Sequence, residues 1–347
     1  AHATVTFEAA KPGLVLPEAA PYTGRLHIRP IGIPAAVRRA HPASYQMITD
    51  ALAGAFPEAA PGWHKGTAGA ILIVGGSEGL TGAPHLAARA ALRAGGGLIS
   101  VAAPHGLCRD IKADCPDIMT RALGPAGSVR WSPALLEELL PFLRQCGAMV
   151  LGPGIGREPE TAAFVQALLM CPSRPSAVVD ADALHALAMH PEALSSLRAC
   201  DVLTPHPGEA ATLLHTTPAL VQADRFAALA GLRRLAPSVW ILKGAGTLIG
   251  TAGQPVTIAP YAEPNLAVGG SGDVLSGCLG TLMAQTAAHP SEGCESSSFL
   301  AACMGVYLHA RAGRLLRGAF PKRGNSATDI AEMLPRARIR EAAGDGA

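Results

Sequence analysis

Ala70-Ile71-Leu72-Ile73-Val74 is a continuous aliphatic run, and Gly75-Gly76-Ser77 follows it directly. An alanine-rich segment comes next, from Ala83 to Arg93, and after three glycines Leu98–Val101 is again apolar. This order predicts a strand, a loop, a helix and a second strand. A right-handed crossover between parallel strands is the simplest connection of that kind. We therefore predict an α/β fold.

The same alternation continues along the chain. Four further apolar runs each end in a loop rich in glycine, proline or polar residues: Ala148–Leu151, Ala177–Val179, Val202–Thr204 and Val239–Leu242. Strands that are apolar throughout are typical of a parallel sheet covered by helices on both faces. Open sheets of this class bind ligands beyond the carboxyl ends of their strands. We therefore predict a central, mostly parallel sheet with the functional loops along one edge.

A glycine-rich loop at Asn265–Gly277 leads into an apolar helix that we expect to end near Gln285. Gly269, Gly270 and Gly272 permit backbone angles at which successive N–H groups converge on an anion at the helix N-terminus. Asp273 would repel such an anion, so it is either a base acting on a substrate hydroxyl or an ordinary first-turn carboxylate. The loop alone leaves both interpretations open.

Several strand-end residues are candidates for binding. Lys243, in the run Lys243-Gly244-Ala245-Gly246-Thr247, is either a phosphate ligand, with Thr247 adding a hydroxyl, or a solvated lysine. His206 and Glu209 flank a Pro-Gly turn at the start of a helix, so their side chains can share a face. Asp180 and Asp182 either orient a hydrated magnesium ion or cap the helix beginning near Ala183.

Composition excludes several classes of protein. The net charge is +2, from 28 basic and 26 acidic residues, and no basic tract is longer than a pair, which argues against nucleic acid and membrane surfaces as partners. The eight cysteines show no metal-binding spacing, and the N-terminus does not resemble a secretory leader, so we expect free thiols in a reducing cytoplasm. Gly75-Gly76-Ser77 does not complete a dinucleotide fingerprint, which disfavours a Rossmann cofactor site.

The order of these loops closely resembles that of the ADP/ATP-dependent NAD(P)H-hydrate dehydratases. The matching motifs, spread over about residues 33–335, are Lys65-Gly66, Gly75-Gly76-Ser77, Thr81-Gly82-Ala83, Gly152-Pro153-Gly154-Ile155-Gly156, Asp180-Ala181-Asp182-Ala183-Leu184, Thr204-Pro205-His206-Pro207-Gly208-Glu209, Lys243-Gly244-Ala245 and Gly269-Gly270-Ser271-Gly272-Asp273. The resemblance implies a ribokinase-like fold. It also implies a repair activity in which the S epimer of hydrated NADH or NADPH is phosphorylated on its ring hydroxyl and then loses phosphate.

The resemblance assigns roles by position. It makes Asp273 the catalytic base, and Gly270, Ser271 and Gly272, with Gly269, the anion hole for the transferred phosphoryl group. It places four residues at the hydrate: Ala83, Gly154, Gly156 and His206. The adenine nucleotide contacts would be Lys243, Gly244, Ala245, Gly246 and Thr247, together with Gly272. Glu209 would help to organise Mg²⁺, ADP would be the co-substrate with ATP as an alternative, and we expect a homo-oligomer.

Two positions depart from the family pattern. His185 stands where the family usually has asparagine after Asp-Ala-Asp-Ala-Leu, which puts a polar contact near the hydrate or metal in doubt. Glu263-Pro264-Asn265 replaces the usual Gly-Asn-Pro-Gly before the anion loop, which could alter nucleotide affinity.

The resemblance also divides the chain. Residues 1–34, with strands expected at Thr4–Phe7 and Arg25–Ile28, are similar to the tail of the hydrate epimerase domain often fused ahead of these dehydratases. The chain as given would then lack most of that domain. We expect residues 35–336 to form the dehydratase domain and residues 337–347 to form a frayed tail. Two alternatives to the dehydratase remain, namely a ribokinase-like small-molecule kinase and a nucleotide-binding protein without turnover.

Overall fold

The computed structural model describes residues 1–59, 61–288 and 294–339. Within them the strands are β1 Ala3–Phe7, β2 Arg25–Arg29, β3 Tyr45–Met47, β4 Ala70–Val74, β5 Leu98–Pro104, β6 Met119–Leu123, β7 Ala148–Leu151, β8 Ser176–Val179, β9 Val202–Leu203, β10 Val239–Leu242, β11 Thr247–Gly250 and β12 Val256–Ala259. The predicted frayed tail falls beyond the described residues from position 340 onward, although Ala337 still belongs to a helix.

The α-helices of the described residues are α1 Pro12–Val15, α2 Ala20–Thr23, α3 Ala35–Ala40, α4 Gly82–Arg93, α5 Cys108–Lys112, α6 Leu135–Leu143, α7 Pro159–Met170, α8 Asp182–Met189, α9 Pro207–Leu213, α10 Pro218–Ala223, α11 Arg225–Leu235, α12 Ser271–Ala288, α13 Cys294–Leu315 and α14 Ala327–Ala337. Short 3-10 helices lie at Pro17–Ala19, Asp50–Ala55, His105–Leu107, Pro191–Ser196, Pro264–Leu266 and Leu316–Gly318. None of the described helices combines the length and the apolar character needed to cross a membrane.

A ten-stranded sheet with the order β3-β12-β11-β10-β9-β8-β7-β4-β5-β6 forms the centre of the protein. All neighbours are parallel except β10 with β11 and β11 with β12, which are antiparallel. The predicted mostly parallel sheet with helices on both sides is therefore confirmed. Three strands were predicted to the residue: Ala70–Val74, Ala148–Leu151 and Val239–Leu242. The pattern did not reveal β3, β6, β11 or β12.

Complete burial of the central strands explains their composition. Leu72 and Ile73 of β4 are fully buried, as are Val150 of β7 and Val178 of β8. The register puts Ile73 opposite Val150 and Val150 opposite Val178, so aliphatic side chains form continuous rows across the sheet. Helices on both faces leave no solvated side, which is why no polar alternation is seen along these strands.

Helix α12 lies unusually close to α4, and this contact fixes the position of the glycine-rich loop. A Cβ atom at Gly277 would lie 1.9 Å from the carbonyl oxygen of Ala87. One turn further on, the hydroxyl of Thr281 donates to the carbonyl of Ala91 at 2.8 Å. Because the backbones of α12 and α4 meet here without an intervening side chain, the contact fixes the position of the N-terminus of α12 relative to α4.

The leader forms a small sheet of its own. β1 and β2 pair in parallel, with Ala3 opposite Arg25 and Phe7 opposite Arg29, so the two strands predicted there are confirmed. A Cβ atom at Gly246 would lie 2.8 Å from Cδ of Pro17, which places the segment between the two strands against the Lys243–Thr247 loop. The domain boundary at residue 34 stays a prediction.

We predict that Gly277→Ala lowers the free energy of unfolding by about 1–3 kcal/mol, because the added methyl group forces α12 away from α4. Gly82→Ala is the matched control, since it is also a helical glycine but has no atom within 4 Å of the Cβ position. The control should gain up to about 1 kcal/mol through helix propensity and reduced freedom of the unfolded chain. Urea unfolding of both variants measures the difference. If both variants increase the free energy of unfolding by the same amount, the close packing of α12 against α4 at Gly277 is contradicted.

Candidate functional site

The carboxyl ends of β8, β9 and β10 bring three loops together beside the N-terminus of α12. Asp180 follows β8, Thr204 follows β9 and Lys243 follows β10. A cleft of about 730 Å³ opens at this edge. Seven of the residues singled out in the sequence line it: His206, Lys243, Gly244, Ala245, Thr247, Ser271 and Gly272. His309, which the sequence analysis did not single out, lines it as well. The predicted sharing of one sheet edge is thereby confirmed.

A buried ion pair joins two of these strand ends. Nζ of Lys243 lies 2.7 Å from Oδ1 of Asp180, and the side chains are 18% and 2% exposed. The hydroxyl of Ser276 donates to the other oxygen of Asp180. Burial raises the pKa of Asp180, but Lys243, Ser276 and Thr204 outweigh it and hold that pKa below its usual value. Lys243 therefore remains charged and fixed in place.

The glycine loop approaches this lysine closely. A Cβ atom at Gly272 would lie 3.5 Å from Nζ of Lys243. Gly270 has a φ of +86°, and a Cβ atom there would lie 2.6 Å from Cδ1 of Leu86, so only glycine fits without strain. The first amides of the 18-residue helix α12 have no intrahelical acceptor and carry its positive end. The amides of Ser271 and Val274 donate to the loop carbonyls of Val268 and Gly270, which leaves the amides of Gly272 and Asp273 at the positive end of the helix near a fixed ammonium group.

Asp273 lies in the first turn of α12, and its carboxylate accepts no hydrogen bond from any residue that the structure describes. Burial and, to a smaller extent, the charge of Asp180 raise the pKa of Asp273 to about 7 against the opposing charge of Lys243. A carboxyl group with this pKa exchanges its proton near neutral pH, which is suitable for a general base. Its place in the first turn of α12 fits an ordinary first-turn carboxylate and its pKa fits a base, so the role of Asp273 as the base stays a prediction.

His206 and Glu209 lock each other in place at the start of α9. Nδ1 of His206 accepts from the backbone of Gly208 at 2.9 Å, while Oε2 of Glu209 accepts from the backbone of His206 at 2.7 Å. The predicted common face is confirmed, because Nε2 of His206 lies 3.5 Å from Oε1 of Glu209. Burial and Lys243 lower the pKa of His206, and burial raises that of Glu209 to about 7.

A second group of predicted residues lies next to Asp182. A Cβ atom at Gly154 would be 3.1 Å from Cβ of Ala83, so these two positions are in contact. The backbone N–H of Gly156 donates to Oδ2 of Asp182 at 3.2 Å. Asp182 in turn raises the pKa of Asp273, which connects this group to the base. Ala83, Gly154 and Gly156 are thus neighbours, although none of them lines the 730 Å³ cleft.

The capping role considered for Asp180 and Asp182 is wrong. Asp182 is the first residue of α8, but its carboxylate accepts from Gly156 and from Nε of Arg157 at 2.7 Å, and neither aspartate caps the helix. Ala181 between them has a φ of +51°, a strained value for an alanine. The strain turns the two carboxylates toward different partners.

Sequence reasoning missed four supporting residues. Ser276 and Thr204 hold Asp180, and His309 contacts Ser271. Arg225 is buried beneath the Lys243–Thr247 loop, where its guanidinium donates to the carbonyl oxygen of Leu242 at 3.1 Å and to those of Lys243 and Gly246 at 3.4 Å. Ser276 follows Gly272 by four positions, so helix periodicity could have found it. The others come from distant parts of the chain.

The described residues contain no group of three histidine, cysteine, aspartate or glutamate side chains able to hold a metal ion by themselves. Glu209 is already engaged by His206 and lies 3.8 Å from Lys243. Mg²⁺ commonly binds through one or two carboxylates, with nucleotide phosphates and water completing its shell. The side chains present therefore fit a metal ion that is shared with a phosphate ligand.

Comparison with known proteins gives the family. The NAD(P)H-hydrate dehydratase family model matches residues 71–336. The bifunctional NAD(P)H-hydrate repair enzyme of Moorella thermoacetica is 40% identical over 335 residues, covering 96% of this chain and 61% of that protein. The ADP-dependent (S)-NAD(P)H-hydrate dehydratase of Neisseria meningitidis is 35% identical over 261 residues, covering 73% and 79%. The chain spans about three fifths of the length of the bifunctional relatives.

Solved structures agree on the architecture. A ribokinase-like superfamily protein from Enterococcus faecalis superposes with a TM-score of 0.70 at 21% identity, covering 86% of this chain and 96% of that one. The ADP/ATP-dependent NAD(P)H-hydrate dehydratase of Bacillus subtilis, co-crystallised with ATP and Mg²⁺, gives 0.65 at 22% identity and covers 83% and 96%. The resemblance found in the sequence is confirmed: the chain has a ribokinase-like fold and belongs to the NAD(P)H-hydrate dehydratase family.

Proposed function

We propose that this chain dehydrates the S epimer of hydrated NADH or NADPH to the intact coenzyme at the expense of ADP, with ATP as the alternative phosphoryl donor. One observation carries the proposal: Asp273, with a pKa of about 7, lies in the first turn of α12, next to Gly272, where a Cβ atom would lie 3.5 Å from the ammonium nitrogen of Lys243. Phosphoryl transfer requires mainly positioning and charge stabilisation, and these groups supply both. Family membership supports the same reaction.

In the proposed mechanism Asp273 takes the proton of the ring hydroxyl. The hydroxyl oxygen attacks the terminal phosphorus of ADP, a new P–O bond forms, the bond to the bridging oxygen breaks, and AMP leaves with the electron pair. The phosphorylated intermediate then loses phosphate as its C–O bond breaks, and a proton leaves the neighbouring ring carbon to restore the double bond. Gly270 and Gly272 would present their backbone amides to the transferred group, whereas the amide of Ser271 donates to the carbonyl oxygen of Val268 at 3.2 Å.

The nucleotide is assigned to the Lys243–Thr247 loop and to Gly272. In the loop, the hydroxyl of Thr247 donates to the carbonyl oxygen of Gly244 at 2.8 Å, and the N–H of Gly246 donates to that of Tyr261 at 3.0 Å. Lys243 lines the same cleft while its ammonium group pairs with Asp180. Ala245 contributes backbone to the same wall. The cleft volume of about 730 Å³ suits a nucleotide.

The hydrate is assigned to Ala83, Gly154, Gly156 and His206, on the side of Asp273 that faces Asp182. Mg²⁺ is assigned to the nucleotide phosphates with Glu209 as its protein carboxylate, where it would neutralise charge on the transferred group. Homo-oligomeric assembly, a reducing cytoplasm and an epimerase-like origin of residues 1–34 remain parts of the proposal. The seven cysteines whose side chains the structure describes are free, which supports the reducing compartment.

The decisive assay supplies hydrated NADH with Mg²⁺ and either ADP, ATP or no nucleotide, and follows the absorbance of reduced nicotinamide. We expect recovery of the coenzyme only with nucleotide, and Asp273→Asn should abolish it while ADP binding persists in calorimetry. A stable phosphorylated product would indicate the kinase alternative instead, and binding without turnover would indicate a nucleotide-binding protein. Retention of more than about a tenth of the rate by Asp273→Asn, or about 1.4 kcal/mol of barrier, would remove Asp273 from the mechanism.

The pH dependence follows from the pKa of Asp273. Because the base must be ionised, log(kcat/KM) should rise with a slope near one below about pH 7 and level off above it. Glu209 also has a pKa of about 7 and lies nearby with Asp180, Asp182 and Lys243. Glu209→Gln is therefore the comparison: its rate should fall with the loss of the proposed Mg²⁺ carboxylate, but the acidic limb should persist at a lower pH, because Glu209 raises the pKa of Asp273. If the acidic limb is absent in Glu209→Gln, the group whose ionisation controls the rate is Glu209 and not Asp273.

The two ligands should respond to different substitutions. Lys243→Met removes the charge of the nucleotide loop and should weaken ADP binding about tenfold or more, with little effect on hydrate binding. His206→Asn should do the reverse, and asparagine still caps α9, so the helix start is preserved. The exposed Lys322→Met controls for net charge, and calorimetric titration of both ligands measures the split. If both variants weaken the binding of the same ligand, the division of the cleft into two subsites is wrong.

A further inference from the structure

Ser271 and His309 form a contact to which neither the sequence nor the proposed mechanism gives a role. Nε2 of His309 lies 3.1 Å from Oγ of Ser271. Ser271 is the first residue of α12 and is 7% exposed, while His309 comes from the middle of α13 and is 9% exposed. Both line the 730 Å³ cleft that also contains Lys243 and Gly272. A buried polar pair thus lines the same cleft as Lys243.

The imidazole of His309 is neutral. Burial lowers its pKa to about 4, a contact with the backbone of Ser271 raises it slightly, and the charge of Lys243 lowers it. A neutral imidazole offers one donor and one acceptor nitrogen. The ring can therefore donate to the serine hydroxyl without adding a second positive charge beside Lys243.

The hydroxyl of Ser271 has one proton and two lone pairs. Among the residues that the structure describes, its side chain has no hydrogen-bond partner other than His309. If Nε2–H donates into one lone pair, the hydroxyl proton is left for an acceptor in the cleft. The amides at the start of α12 and the ammonium of Lys243 make an anionic oxygen the acceptor that this position favours.

We propose that His309 is a positioning residue that holds the hydroxyl of Ser271 so that it donates to an oxygen of the terminal phosphoryl group of a bound nucleoside diphosphate. This adds a side-chain donor to the backbone amides of the anion loop. It rests on the proposed function for the identity of the nucleotide. It does not require the hydrate.

The test compares ADP with adenosine, which lacks the phosphates, by calorimetric titration without hydrate. Ser271→Ala should weaken ADP binding about tenfold, the lower range for a hydrogen bond to a charged group, and leave adenosine unchanged. His309→Leu should weaken ADP about three- to tenfold with adenosine again unchanged. The double variant should match Ser271→Ala alone, because the histidine acts only through the serine.

Two variants separate positioning from packing. His309→Gln keeps a side-chain N–H donor and should recover most of the ADP affinity lost in His309→Leu. Thr286→Val removes another hydroxyl of α12, one that donates to the carbonyl oxygen of Leu282 in the same helix at 2.9 Å, and should leave both affinities unchanged. Thermal unfolding of each variant establishes that it is folded before titration.

Three outcomes would overturn the proposal. They are an unchanged ADP affinity in Ser271→Ala, equal losses for ADP and adenosine in His309→Leu, and losses that multiply in the double variant. If wild-type protein fails to repair hydrated NADH, the proposed function fails, but the difference between ADP and adenosine still decides the role of His309.

Discussion

The ammonium group of Lys243 interacts with three carboxylates at the edge of the sheet where the parallel strands end. Lys243 pairs with Asp180 at 2.7 Å, lies 3.8 Å from Glu209, and has its own pKa raised by Asp180, Glu209 and Asp273 against the effect of burial. Removing a buried charge from water is costly unless it is paired, so the pair with Asp180 is satisfied first. Burial raises the pKa of each of the other two carboxylates, Glu209 and Asp273, to about 7, and the charge of Lys243 opposes this rise only in part.

The excess of three carboxylates over one ammonium group bears on the proposed chemistry of the site in two ways. A base that binds its proton too weakly cannot accept one from a hydroxyl, and one that binds it too tightly is never ionised near neutral pH. Asp273, the proposed base, lies between these limits mainly because burial raises its pKa, with Asp180 adding to the rise and Lys243 opposing it. The surplus of carboxylates also opposes a phosphate ligand, which explains why a divalent cation and the amides of α12 would be needed to hold one.

The sequence predicted the buried strands and loops that form the site, but not the side-chain contacts between them. Continuous apolar runs such as Ala70–Val74 identified the buried strands, because parallel strands covered on both faces need no polar residues. The short antiparallel strands were missed, since β11 begins at Thr247, inside a motif interpreted as a loop. Asp180 and Lys243 are separated by 63 positions, and Ser271 and His309 by 38, so only the folded sheet and the α12–α13 contact reveal these pairs.

The leader and the Lys243–Thr247 loop constrain each other. Gly246 has a φ of +66°, and a Cβ atom there would meet Pro17, so the loop is confined from outside. From inside, Arg225 holds the carbonyl oxygens of Leu242 and Gly246, and its own pKa is lowered by burial and raised by Glu18 of the leader. A guanidinium that binds several carbonyls of one loop fixes their relative positions. The ammonium of Lys243 is therefore positioned by contacts on both sides of the loop, and the leader is one of them.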